Sequence, residues 1–178
     1  SLDDHARIRG MLASVQADPL ASALLHGQGY SEVVGCWIDS ETGEACKIRI
    51  DRVAKVEGIG GVLVDLKTCG DATRFERDAA ALGYHGQAAM YIDGWRALGY
   101  AEDRFLHVVV EAEPPHGLRV VELQDRSIGT GRRAWRAALR QYASCRKSGE
   151  WPGYPPGPEP VEIPRYALDK TSSEDFGD

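Results

Sequence analysis

Residues 58–68, Gly-Ile-Gly-Gly-Val-Leu-Val-Asp-Leu-Lys-Thr, set the terms for any fold this chain can adopt. A Gly-rich turn runs into a compact strand of Val and Leu, the composition of a core element. The same strand carries an acid, Asp65, and a base, Lys67, two positions apart. Alternation places these two on one face and Val64 and Leu66 on the other. Burying an ionised pair inside an apolar element is costly. The pair therefore marks either a salt bridge at the strand's end or a working site.

The rest of the chain supplies a scaffold around that strand. Residues 3–17 read as a helix with Ile8, Met11, Leu12 and Val15 on one face. Asp18-Pro19 breaks it, and 19–26 form a second short helix. Residues 30–39 and 44–54 read as a β-hairpin over the turn 41–43, with Gly43 at the positive-φ position. Helices are expected at 71–82 and 84–98, parted near Gly83. A second hairpin, 105–113 and 118–124, turns over Pro114-Pro115, and the longest helix covers 126–147. This order predicts an α/β fold: a central mixed β-sheet of about five strands flanked by helices.

A length of 178 residues allows one domain with a real core. We expect that domain over 1–158, lacking an upstream helical segment, and an acidic tail over 159–178 that is partly disordered, chiefly at 170–178. No apolar run approaches the ~18 residues of a spanning helix, and no basic-then-apolar leader opens the chain. Four cysteines (Cys36, Cys46, Cys69, Cys145) contain no C-x-x-C pair, which argues against a zinc ribbon. A cytoplasmic setting, free thiols and no membrane partner are the expectations. Cys36 and Cys46 are expected near each other across the hairpin, packed in the sheet.

Net charge is −6, which at first sight disfavours a nucleic-acid partner, but the charge is polarised. Residues from Glu159 onward carry −4, leaving −2 for the first 158, and 126–147 hold seven bases and no acid. On that helix, Trp135, Ala138, Leu139 and Tyr142 are expected to face the core and Arg132, Arg133, Arg136 and Arg140 to face outward. The outward face is either a solvated cationic surface or a wall that tracks phosphates.

A second acid joins Asp65. In Lys-Ile-Arg-Ile-Asp-Arg-Val, Asp51 ends a strand expected beside 62–68, so its carboxylate converges on Asp65. Two such carboxylates repel unless a proton or a dication lies between them. Mg²⁺ suits oxygen ligands and keeps several waters. Leu66 would add its backbone carbonyl, and Glu32 is either a third carboxylate or an ordinary exposed strand residue. Lys67 beside a metal-bound water can orient that water and offset charge on a phosphorane-like transition state. On the next helix Tyr84, Gln87 and Tyr91 share a face by their i, i+3, i+7 spacing. Gln87 and Tyr91 are donors suited to a phosphate oxygen, although taken alone the pattern is better explained by a Tyr ring in the core with its hydroxyl at the edge.

Asp51, then Asp65-Leu66-Lys67 on a strand, then Gln87-x-x-x-Tyr91 on a helix resembles the PD-(D/E)XK nuclease superfamily. More narrowly, the string is similar to the branch sharing the Q-x-x-x-Y motif, and within it to RecE-like exonucleases of phage and prophage type. The likeness runs from about Glu32 to Trp151. It implies a restriction-endonuclease-like core, with Asp51 and Asp65 as metal ligands, Lys67 as the catalytic lysine, and Gln87 and Tyr91 near the DNA backbone. It also implies a Mg²⁺ cofactor, with Mn²⁺ able to substitute, and 5′-to-3′ degradation of linear double-stranded DNA. The product would be 3′ single strands for recombination. The implied partners are duplex DNA, a single-strand annealing protein and further copies of the chain in a ring.

Two features depart from that family. Its members place a metal-binding His on a helix well upstream of the first acid, and neither His5 nor His26 sits in a matching context. The chain is accordingly expected to lack that helix, and His85 is read as a helix surface residue. The family's iron–sulfur members need a Cys cluster after the Gln-x-x-x-Tyr helix, and only Cys145 follows here, which argues against a cluster. The function expected is a Mg²⁺-dependent exodeoxyribonuclease. The alternatives are a nuclease-fold domain that binds DNA without cutting and an endonuclease of the same superfamily.

Overall fold

A computed structural model describes residues 2–168, and it builds them around one five-stranded sheet. Helices α1 (Leu2–Ala17) and α2 (Pro19–His26) precede strands β1 (Gly29–Ile38), β2 (Ala45–Val56) and β3 (Gly60–Cys69). A 3-10 turn (Ala72–Arg74) leads to α3 (Phe75–Ala81) and α4 (Tyr84–Ala97). Strands β4 (Phe105–Glu111) and β5 (Leu118–Glu122) follow, then α5 (Asp125–Ser148) and a four-residue α6 (Arg165–Leu168). The order across the sheet is β1-β2-β3-β4-β5; β3 and β4 run parallel and every other pair antiparallel. The mixed α/β architecture expected from the sequence is present.

Local chemistry explains the boundaries. The Asp18 carboxylate caps α2 by accepting from the Ala21 N–H at 2.7 Å, with Pro19 in the first turn. In the β1–β2 turn Gly43 has φ 73°, and Asp39 accepts from the Thr42 N–H at 2.9 Å and its hydroxyl at 2.8 Å. The Pro-rich stretch 151–160 has no helix or strand. The stretch 170–178, expected to be disordered, lies outside the described residues.

Helices cover both faces of the sheet. Under α1 and α2, Leu24, Ala54, Val62, Val64 and Val108 form one cluster. Under α4, Ile48, Ile50, Leu63, Ile92, Trp95 and Phe105 form the other. Truncating a fully buried member such as Ile50 or Leu63 to Ala is expected to cost about 2–5 kcal/mol. Helix α5 crosses α4 at close range: a Cβ at Gly131 would lie 2.0 Å from the His85 carbonyl oxygen. No helix among the described residues is long and apolar enough to cross a membrane.

Three packing expectations are corrected. Of the apolar face assigned to α1, Val15 is buried and Met11 half-buried, whereas Ile8 and Leu12 are exposed, because only a narrow stripe through Gly10, Ser14 and Val15 meets the body. On α5 the buried positions are Gly131 and Cys145, while Ala138 and Tyr142 are exposed. Tyr142 instead packs its ring against Trp151. Cys36 pairs with Lys47 and Cys46 with Trp37, so the two thiols sit on opposite sides of the ladder, one exposed and one buried.

The sheet is forked. The β2–β3 ladder runs from Val56↔Gly60 only as far as Arg52↔Val64. Beyond it, residues 45–50 of β2 pair with β1 alone, and residues 65–69 of β3 pair with β4 alone. A change of phase accompanies the split. Ile48 and Ile50 pack under α4, whereas Ala54 packs in the opposite cluster and the Arg52 guanidinium donates to the Leu24 carbonyl of α2 at 3.0 Å. A regular strand would put all four side chains on one face. Strand β1 switches phase at the facing position, where Glu32 has φ 55°, in the left-handed region.

Candidate active site

The fork is where the polar residues of β2 and β3 meet. Asp51 stands at the phase change, so its side chain reaches across the gap instead of settling into either core. Its Oδ2 accepts from the Leu66 N–H at 3.0 Å, replacing the ladder partner that Leu66 loses where the strands part. An extended residue directs its N–H and C=O to the same edge, so the Leu66 carbonyl also opens onto the gap.

Asp65 and Lys67 project together from the α4 face of β3, as the alternation predicts. Asp65 is 2% exposed. Its Oδ1 accepts from Gln87 Nε2 at 2.8 Å, and its Oδ2 meets Lys67 Nζ as an ion pair at 2.8 Å. Lys67 Nζ also donates to Gln87 Oε1 at 3.1 Å. Acid, base and amide thus form a closed ring of three side chains across β3 and α4. Burial pushes the Asp65 carboxyl above its ordinary range, and the Asp51 charge adds to that, while the bonds from Lys67 and Gln87 pull it down.

Beneath this ring lies a residue the sequence reading did not single out. His107 of β4 is the register partner of Asp65 and is fully buried. Neither ring nitrogen has a hydrogen-bond partner among the described residues. Burial, helped by the Lys67 charge, lowers it to about 4, so it is neutral at pH 7. Phe75, Tyr84 and Phe105 surround it, with ring centroids 5.2, 6.1 and 5.0 Å away. The signal was present in the sequence: His107 is the polar residue in the apolar run Phe105–Val110, the strand parallel to Asp65.

The other expected site residues fall into two groups. Gln87 and Tyr91 share the inner face of α4, but the Gln87 amide is spent on Asp65 and Lys67. Tyr91 turns its ring edge-on to Phe105 at 5.9 Å. Glu32 does not join the carboxylates: its side chain is exposed and pairs with Arg49 at 3.3 Å. Its place in the site is structural, through the backbone kink opposite Asp51. Arg132 and Arg136 do not face outward as a phosphate wall. Arg132 is bidentate on Asp93, with Nε–oxygen distances of 2.8 and 2.9 Å, and Arg136 is held by Asp39 and Glu41. Acids distant in sequence claim both guanidiniums.

The donor set fits a hard dication of the Mg²⁺ kind. No group of three or more His, Cys, Asp or Glu residues able to hold a metal occurs among the described residues. Asp51 and Asp65 are close enough to interact electrostatically across the gap, onto which the Leu66 carbonyl also opens. Asp65 Oδ2 is buried and paired with Lys67 Nζ, which leaves a second lone pair on that oxygen for a cation. One or two carboxylates, with waters and substrate phosphate completing the shell, is how Mg²⁺ is ordinarily held.

Comparison with known structures agrees with this fold. A crystal structure of a "Putative exonuclease" from Eubacterium rectale superimposes with a TM-score of 0.68 at 16% identity, covering 95% of this chain and 66% of that one. The described chain thus matches about two thirds of that protein's length, and the likeness is one of fold. The SSO0001 crystal structure aligns at 15% identity over 73% of this chain and 56% of its own, with a TM-score of 0.39, too low to bear on the fold. No curated protein matches this chain. The family described as a PDDEXK-like domain of unknown function (DUF3799) matches residues 2–160, a span that includes the fork and every residue gathered there. With its forked mixed sheet and its acids and lysine at the split, this chain belongs to that PDDEXK-like family.

Proposed function

We propose that this chain is a metal-dependent deoxyribonuclease that hydrolyses linear double-stranded DNA from its ends, 5′ to 3′, leaving 3′ single strands. The observation that carries the reading is the meeting of Asp51, Asp65 and Lys67 at the fork, on a fold of the PDDEXK type. The preference for ends and the polarity rest on the likeness of the motif string to RecE-like exonucleases. A single-strand annealing protein is the partner that such a product calls for.

Asp51, Asp65 and the Leu66 carbonyl would hold Mg²⁺, which when bound supplies a Lewis acid and lowers the pKa of a water. The chain's own residues do the rest. Lys67 brings a positive charge to the same gap, where it stabilises negative charge developing on the phosphoryl oxygens. Gln87 fixes Asp65 through its N–H and Lys67 through its carbonyl, so both are oriented before substrate arrives. The buried setting of Asp65 lowers the local dielectric and strengthens each of these interactions.

One observation favours a second reading. Two carboxylates, one of them already tied to Lys67 and Gln87, also describe a nuclease fold that binds DNA without cutting it. Incubating linear duplex, labelled at one 5′ end, with Mg²⁺ separates the two. Release of labelled mononucleotide, lost in Lys67→Ala, is the expected result. Retention without cleavage supports the binding domain, and cutting of a closed circle identifies an endonuclease.

A further inference from the structure

We infer that Tyr84 is a positioning residue: its ring seats the Lys67 ammonium at the fork and keeps it there whatever the charge on Asp65. The consequence for rate rests on the nuclease reading above, whereas the geometry does not.

Lys67 Nζ lies 4.6 Å from the centroid of the Tyr84 ring, inside the range in which a cation is attracted to a π face. The lysine side chain is only 20% exposed, so the ring acts on an ammonium already stripped of most of its water. An ammonium has three donors to direct. Asp65 Oδ2 and Gln87 Oε1 take two directions, and the ring supports it from another.

The ring itself is braced. Tyr84 stacks on Phe75 at 6.1 Å and 30°, and on His107 at 6.1 Å and 29°. His107 in turn lies against Phe105, so an aromatic column runs from α3 through the head of α4 to β4. Nothing in the Asp65–Lys67–Gln87 ring requires an aromatic residue here, and a Leu would fill the space.

The seat answers a particular difficulty. A dication held by Asp65 would compete with Lys67 for the same carboxylate and would repel the ammonium. A neutral amide oxygen and a π face do not lose their attraction when that happens. Gln87 and Tyr84, one helical turn apart on α4, thus hold Lys67 through the very change that weakens its ion pair.

The test begins with the whole chain, free of metal, with its lysine side chains isotopically labelled. The chain contains five lysines, so their NMR signals are few. One set of ε-methylene protons is expected upfield of the rest, displaced by the ring current. The displacement should persist in Tyr84→Phe and in Asp65→Asn and disappear in Tyr84→Leu. Absence of a displaced signal in the wild type, or its loss in Asp65→Asn with the ring intact, overturns the inference. Both outcomes are readable even if Tyr84→Leu fails to fold. On linear duplex with Mg²⁺, Tyr84→Leu should lower kcat about tenfold with KM unchanged, and Tyr84→Phe should recover most of the loss. Equal losses in Phe and Leu would point to the hydroxyl instead and reject the seat. A wild type that cuts no DNA defeats the nuclease reading and leaves the spectroscopic result to stand by itself.

Discussion

At the turn of the first hairpin, Arg136, Arg140 and Arg146 of α5 meet Asp39, Glu41 and Glu44. At the fork, one lysine meets one buried aspartate. The two regions use the same charge chemistry for different ends. In the first, the guanidiniums claim carboxylates on an outer turn and bolt the longest helix to the sheet. Arg136 holds the Asp39 carboxyl down to about 2, and the Thr42 bonds assist. In the second, burial works against the charge on Asp65, a single lysine offsets it, and an imidazole below has no hydrogen-bond partner among the described residues. A fold that satisfies its charges so fully at the turn leaves both nitrogens of His107 unmet at the fork. Unmet buried groups of this kind mark a place kept for chemistry rather than for stability.

Substitutions can break that contrast. The largest effect is expected from Lys67→Ala, which should lower kcat on linear duplex DNA by about 100-fold or more while leaving circular dichroism unchanged. A protein that cuts as well as before would remove the fork's claim to be a site.

His107→Phe comes next. A group held neutral in the fold at about 4, against an ordinary 6.5, adds no pH dependence above 6.5. It costs stability progressively as pH falls from 6.5 to about 4, because the unfolded chain then binds the proton. The wild type should therefore lose on the order of 3 kcal/mol across that window relative to His107→Phe. Denaturant melts at pH 7 and pH 4 measure the difference, and parallel curves would show that the imidazole finds a partner.

The clamp has its own window. Asp39 is depressed from 3.8 to about 2, so its contribution is complete above 3.8 and fades as pH falls towards 2. Asp39→Asn should cost on the order of 1–2 kcal/mol at pH 7 and nothing near pH 2. The same clamp predicts that Arg132→Gln with Arg136→Gln lowers stability yet leaves the salt slope of DNA binding unaltered. A flatter slope would return these arginines to the DNA surface.

The smallest effect sharpens the picture of the fork. Glu32→Gly should cost nothing or gain about 0.5–1 kcal/mol, since glycine accepts φ 55° without strain. Glu32→Val should destabilise, because a β-branched residue resists that conformation. Calorimetric titration with Mg²⁺ then asks whether the kink sets Asp51: the valine variant should bind more weakly, and the glycine variant like the wild type.

Local signals were legible in the sequence and long-range ones were not. The turn at Gly43, the break near Gly83 and the shared face of Asp65 and Lys67 follow from residue chemistry and a period of two, and the structure has all of them. The fork is different. It depends on where two ladders stop, which no periodicity records, and it decides that Asp51 reaches β3 while Glu32 does not. The basic helix misled for the same reason. Seven bases without an acid read as a free surface until the hairpin, about a hundred positions earlier, delivers its carboxylates to three of them. His107 was legible in principle, as a polar residue in an apolar strand, but its lack of partners is a property of the packed core.

The split in the sheet has one more consequence. Asp51 rides on a plate made of β1 and β2, fastened to α5, while Asp65 and Lys67 ride on another made of β3 and β4. The plates are joined by the ladder of residues 52–56 with 60–64 and by the cluster under α4, in which Ile48 and Ile50 of one meet Leu63 and Phe105 of the other, so the jaw between the two acids is set by how that cluster packs. Changes far out on the first hairpin, many residues from any reacting atom, should then register as altered choice among cations of different radius.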